Sequence, residues 1–107
     1  TITLSGPPSG TVGSPVTFSW SGATPNSNFW FLYSFTNSGF VYAGHQFDLG
    51  APVTIFTSGV NSSAGTGSLL SPPLPARLLG RVLYLEVAAM ASPGVFEDSN
   101  FLVFTIQ

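Results

Sequence analysis

The segment "VTFSWS", residues 16–21, alternates strictly, with Val16, Phe18 and Trp20 to one side and Thr17, Ser19 and Ser21 to the other. Such a period of two marks a strand with one buried face, because successive side chains leave a strand in opposite directions. The same grammar runs along the chain. "TITLS" puts Ile2 and Leu4 on one face, and "APVTIFTSGV" groups Val53, Ile55 and Thr57. In "VLYLEVAAM" Leu83, Leu85, Val87 and Ala89 oppose Tyr84, Glu86 and Ala88, and "FLVFTIQ" lines up Leu102, Phe104 and Ile106. "FVYAGHQFDL" reads as one bent strand or two short ones around Gly44, and Leu69 and Leu70 as another short strand. Between these lie "GPPSGTVGSP", "GATPNSN", "TNSG" and "NSSAGTGS", rich in the Gly, Pro, Asn and Ser that close strands and set turns.

"NFWFLYSF", residues 28–35, breaks the alternation. Phe29, Phe31, Tyr33 and Phe35 fall on one side, but Trp30 and Leu32 make the other side apolar as well. Something must cover that second face.

"PPLPARLLGR" cannot be a central strand, since proline lacks a ladder donor. It reads as a crossover that lays Leu74 and Leu78 over one end of the core. A helix through "ARLLGRVLYLEVAAM" competes, but Gly80 would cost it about 1 kcal/mol, and its Val and Tyr content favours a strand. Strands broken by turns every eight to twelve residues or so predict an all-β fold. We expect an Ig-like antiparallel β-sandwich of roughly seven to eight strands with Greek-key connections, formed by residues 1–107 as a single domain.

"TITLSGPPSGTVGSPVTFSWSGATPNS", "FDLGAP", "LLGRVLYLEVA" and "SNFLVFTIQ" together resemble bacterial secreted Ig-like or fibronectin-III-like sandwich modules, over nearly the whole chain. The resemblance implies a non-enzymatic extracellular or cell-surface domain, often one bead among several. It carries over no catalytic residue. The aromatic segment 28–35 departs from the pattern. A chain opening on Thr1 suggests an excised or processed segment.

Composition narrows the function classes. Charged residues make up 6%, with two arginines, no lysine and a net charge of −2. Two cations cannot build the stripe that neutralises a phosphate backbone, which argues against nucleic acid and anionic lipid. No apolar run reaches the ~18–20 residues of a membrane helix, so no membrane insertion is expected. With no cysteine, disulfides and thiolate metal sites are excluded. So little charge also means little repulsion between copies.

Candidate chemistry is sparse. His45 is the sole histidine, and no nucleophile elbow accompanies it, so no enzyme activity and no cofactor are expected. "EDSN", residues 97–100, collects oxygen ligands that Asp48 could join, and calcium takes six to eight oxygens. It reads instead as a turn in which Asp98 and Asn100 set the geometry and Glu97 is solvated. Glu86 is expected on the outer side of its strand, bridging to Arg77 or Arg81 in water. "NSS" at 61–63 matches a glycosylation sequon.

Two functions follow from the surplus apolar face. The first is self-assembly with other copies into a filament or surface array, through Phe29, Trp30, Phe31, Tyr33, Phe35, Phe40 and Tyr42 and the terminal strands, with Ile2, Leu4, Phe101 and Val103 against a neighbour. The alternative is a glycan-binding module with Trp30, Tyr33, Tyr42, His45 and Asp48 as its platform and hydroxyl partners. Cover from within the chain, for instance by "PPLPARLL", competes with both.

Overall fold

A computed structural model describes residues 2–42 and 44–107. The strands are β1 (Thr3–Ser5), β2 (Ser9–Gly10), β3 (Thr17–Ser21), β4 (Asn28–Ser34), β5 (Phe40–Tyr42), β6 (His45–Phe47), β7 (Thr54–Val60), β8 (Gly67–Leu70), β9 (Val82–Ser92), β10 (Val95–Asp98) and β11 (Leu102–Ile106). Among the described residues there is no α-helix; Ala76–Leu78 form a single 3-10 turn. The helical alternative over 76–90 therefore fails, and β9 runs straight through "VLYLEVAAM".

One sheet has the order β1-β3-β8, and a larger one β2-β11-β9-β4-β7, with β10 also paired to β9. Among the described residues every pairing between these strands is antiparallel except β2 with β11. The alternating β3 works as its pattern dictates: Phe18 and Trp20 are buried, while Thr17, Ser19 and Ser21 are exposed. The two sheets close over Ile2, Leu4, Val16, Phe18, Trp20, Phe31, Leu85, Val87, Ala89, Phe104 and Ile106. Phe29, Tyr33, Leu69, Leu74, Leu78, Leu83 and Leu102 pack against this layer, so the proline-rich crossover does lie over the core. Rings meet edge-on or tilted inside it, with Trp20 and Phe29 centroids 4.9 Å apart and Phe18 and Phe104 5.4 Å apart. Gly67 sits opposite Trp20 across the ladder, and a side chain there would collide with the indole.

Buried polar groups are all partnered among the described residues. Trp20 Nε1 donates to Asn61 Oδ1 at 2.8 Å, and Asn61 Nδ2 donates to Ser27 Oγ at 3.0 Å. The sequon asparagine is thus a core residue, 2% exposed, with its amide already engaged. Asn100 is an edge clamp: its Oδ1 accepts from Leu4 N at 2.8 Å and its Nδ2 donates to Leu4 O at 3.1 Å.

A bulge in β7 alters one expected grouping. Leu32 pairs with Ile55 but Phe31 pairs with Thr57, leaving Phe56 unpaired. Ile55 therefore stands on the outer face of the large sheet, whereas Thr57 shares the inner side with Phe31. Phe56 also turns inward, toward Phe31 and Tyr33.

Candidate functional site

The outer face of β4 and β9 is covered by the chain's own excursion between β4 and β7. Gly50 N donates to Thr36 O at 3.0 Å and Ser34 Oγ donates to Gly50 O, closing the base of the excursion. The antiparallel pair β5–β6 then folds back over the sheet. Phe47 and Leu49, 3% and 0% exposed, form a second core with Leu32 and Ala88, flanked by Trp30, Phe40, Val53, Tyr84 and Phe96. Phe40 stacks on Phe47 with centroids 4.9 Å apart. Packing is incomplete: a cleft of about 320 Å³ remains, lined by Trp30, Leu32, Phe40, Tyr42, Phe47, Val53, Ile55, Ala88 and Phe96.

At the deep end of this layer stands Glu86. It does face away from the inner core, as its parity requires, but it is not in water: its exposure is 0%. No arginine bridges it. Its carboxyl accepts from Asp48 N at 3.3 Å and from Leu49 N at 3.4 Å, holding the segment after β6 against β9. Arg81 instead lies over the Phe35 ring, 4.2 Å from its centroid, and Arg77 lines a cavity on another side of the molecule. One carboxyl oxygen each of Asp48, Glu86 and Asp98 fall within 4.8 Å of one another. Burial, the hydrogen bond with Asp98 and the negative charges of Asp98 and Asp48 push Glu86 up to about 9, against the pull of the Asp48 backbone N–H. His45 Nε2 meets Asp98 Oδ1 at 2.8 Å, which ties β6 to β10. The Asp48 and Leu49 N–H groups point at the Glu86 oxygens of this cluster.

Expectations for "EDSN" divide. Asp98 and Asn100 engage other segments, as described, and Glu97 is not solvated but half-buried, accepting from Thr24 N at 2.8 Å.

The assembly residues do not form one surface. Ile2, Leu4 and Phe31 are 1–2% exposed and belong to the inner core. Phe29 and Tyr33 lean on that core, while Trp30 and Phe40 lie beneath or within the hairpin layer, all four half-buried. Phe35, Tyr42, Phe101 and Val103 remain exposed, at 43%, 61%, 38% and 47%. The terminal strands are partly closed: β11 meets β2 at Thr105 and Ile106 but β9 alone at Leu102–Phe104, and the open side of β1 is held by Asn100. Of the glycan set, Tyr33 lies on the inner side of the sheet and Trp30 on the outer. The Trp30 and Tyr42 rings each meet Phe96 at an incline, 57° and 69°.

A surface that sequence reasoning missed lies along one flank, where both sheets end. β7 pairs only with β4 and β8 only with β3 among the described residues. β7 is seven residues long, uncharged and free of proline, and Ile55, Phe56 and Val60 are 58%, 43% and 64% exposed. Leu70 on β8 is 67% exposed. A cavity of about 250 Å³, lined by Phe31, Tyr33 and Phe56 from one sheet and Leu69 from the other, opens between them. The signal was present in "TIFTSGV", whose apolar, uncharged run lacks the lysines or prolines that blunt an edge.

No protein-family model matches this chain, and no curated protein matches it either.

Proposed function

We propose that the chain is a non-enzymatic structural module that associates with copies of itself, with β7 and the adjoining β8 flank as the contact. The carrying observation is the free, uncharged β7 edge with its three exposed apolar side chains. Unpaired strand N–H and C=O groups are a template for another strand, and most edges are protected by charge, proline or cover. Here a bulge at Phe56 is the sole such device on the strand, and it leaves Thr57–Val60 in regular register. With a net charge of −2, copies repel one another little.

The strand orders β1-β3-β8 and β2-β11-β9-β4-β7 support an Ig-like sandwich with Greek-key connections. The core tryptophan sits on β3, and no disulfide joins the sheets. An extracellular or cell-surface setting rests on the resemblance to secreted sandwich modules. Glycan binding remains the second reading in name only, since no observation favours it.

Sedimentation velocity over a wide concentration series, with electron microscopy of the most concentrated sample, tests the proposal. We expect reversible dimers or longer assemblies in the unmodified protein, and loss of them in the Ile55→Lys/Val60→Lys variant. A monomer at every concentration, or assembly unchanged by the two lysines, would overturn it.

A further inference from the structure

The polar contact at the deep end of the second core is Glu86, which is 0% exposed and accepts from the Asp48 and Leu49 amides. We propose that the β5–β6 hairpin is a lid over the apolar outer face of β4 and β9, held down through the carboxyl of buried Glu86 and released as that carboxyl ionises.

The geometry supplies each part. The lid is an excursion closed at its base by Thr36 and Gly50, so it can swing away without breaking the ladder between β4 and β7. Its inner contacts are Phe47 and Leu49 over Leu32 and Ala88, with a cleft of about 320 Å³ left unfilled beside them. The groups facing Glu86 are Asp48 and Leu49 backbone N–H from the lid, the Asp48 and Asp98 carboxylates, and His45 through its bond to Asp98. Tyr84 shares its side of β9; β4 presents Trp30 and Leu32, and β11 carries no titratable residue. With no arginine bridging it and two carboxylates nearby, an ionised Glu86 under the closed lid has only the Asp48 and Leu49 N–H groups to offset its lost solvent. The raised affinity of this group for its proton agrees.

The sign follows from linkage. An open lid returns Glu86 to water and its ordinary value of 4.5, whereas the closed lid holds its proton up to about 9. Closure is therefore strongest below pH 4.5, weakens about tenfold per pH unit above that, and levels off beyond about pH 9. The lid is acid-closed. Opening exposes Trp30, Leu32 and Phe96 to whatever meets that face.

Native-state amide hydrogen exchange followed by NMR tests this, with rates corrected for intrinsic base catalysis. The Asp48 and Leu49 amides report the lid, and those of Val87 and Ile106 the inner core. We expect lid protection at least about tenfold below core protection, falling about tenfold per unit between pH 5 and 8. Glu86→Gln should keep the lid closed and abolish the slope. In the unmodified protein the Glu86 carboxyl carbon should still show the protonated shift at pH 7. Equal protection in lid and core, a slope that survives Glu86→Gln, protection independent of pH, or a Glu86 carbon titrating near 4.5 would each overturn the proposal.

Discussion

The two faces of β4 and β9 use the same backbone and are buried by different means. Inside, a second sheet supplies Phe18, Trp20 and Leu4 against Phe31, Leu85 and Val87, with every one of these side chains at most 5% exposed. Outside, a short hairpin supplies Phe47 and Leu49, while Trp30, Phe40 and Phe96 stay half-buried around an open cleft. Two layers of strands bury each other's inner side chains; a single hairpin contributes few side chains and must be fastened. The fastening is polar: Glu86 holds the Asp48 and Leu49 amides, and Asp98 holds His45. The inner face thus sets global stability, and the outer face is the part of the molecule that conditions can move.

Substitutions should separate the faces sharply. Trp20→Ala empties the inner core and strands Asn61, and we expect a loss of about 3–5 kcal/mol by denaturant unfolding; a loss below about 1 kcal/mol would deny this face its role. The pH effect should come next. Since the unfolded chain ionises Glu86 near 4.5 and the folded one near 9, stability should fall by at most about 1.4 kcal/mol per unit from pH 5 to 8. Thermal melts across that range should show the fall, and Glu86→Gln should flatten it. Phe47→Ala on the outer face should cost only about 1–2 kcal/mol, less than the full burial of the ring implies, because the lid can detach while the inner core stays folded. An equal loss for Trp20→Ala and Phe47→Ala would mean the faces unfold together. Smallest of all, Ile55→Lys/Val60→Lys should change stability by no more than about 0.5 kcal/mol, both sites being exposed, while abolishing association.

The alternating stretches could be read because one face meets core and the other water. "VTFSWS", the inner residues of "VLYLEVAAM", and Leu74 and Leu78 of the crossover all lie where their pattern put them. "NFWFLYSF" declared two apolar faces but not their cover, since local pattern says nothing about which distant segment folds back. The answer lay in "FVY" and "HQFDL", whose Phe47 and Leu49 point down on the outer face. Glu86 was misplaced for the same reason: parity gives the side of a sheet, and only tertiary contacts tell whether that side is wet. Thr57 was misplaced by a one-residue bulge, which no periodicity announces. The edge at β7 could be recognised as uncharged in the sequence, but only the sheet order revealed that, among the described residues, its outer side is unpaired.

One measurement asks most directly what shelters the second apolar face. In a Trp20→Phe variant, shown by circular dichroism to keep its fold, Trp30 is the remaining tryptophan, and its quenching by acrylamide at pH 5 can be followed from hundreds of micromolar down to nanomolar protein. A hairpin from the same chain predicts quenching that is low and unchanged on dilution. Quenching that climbs as copies separate would show that a neighbour, not the β5–β6 hairpin, had been keeping Trp30 dry.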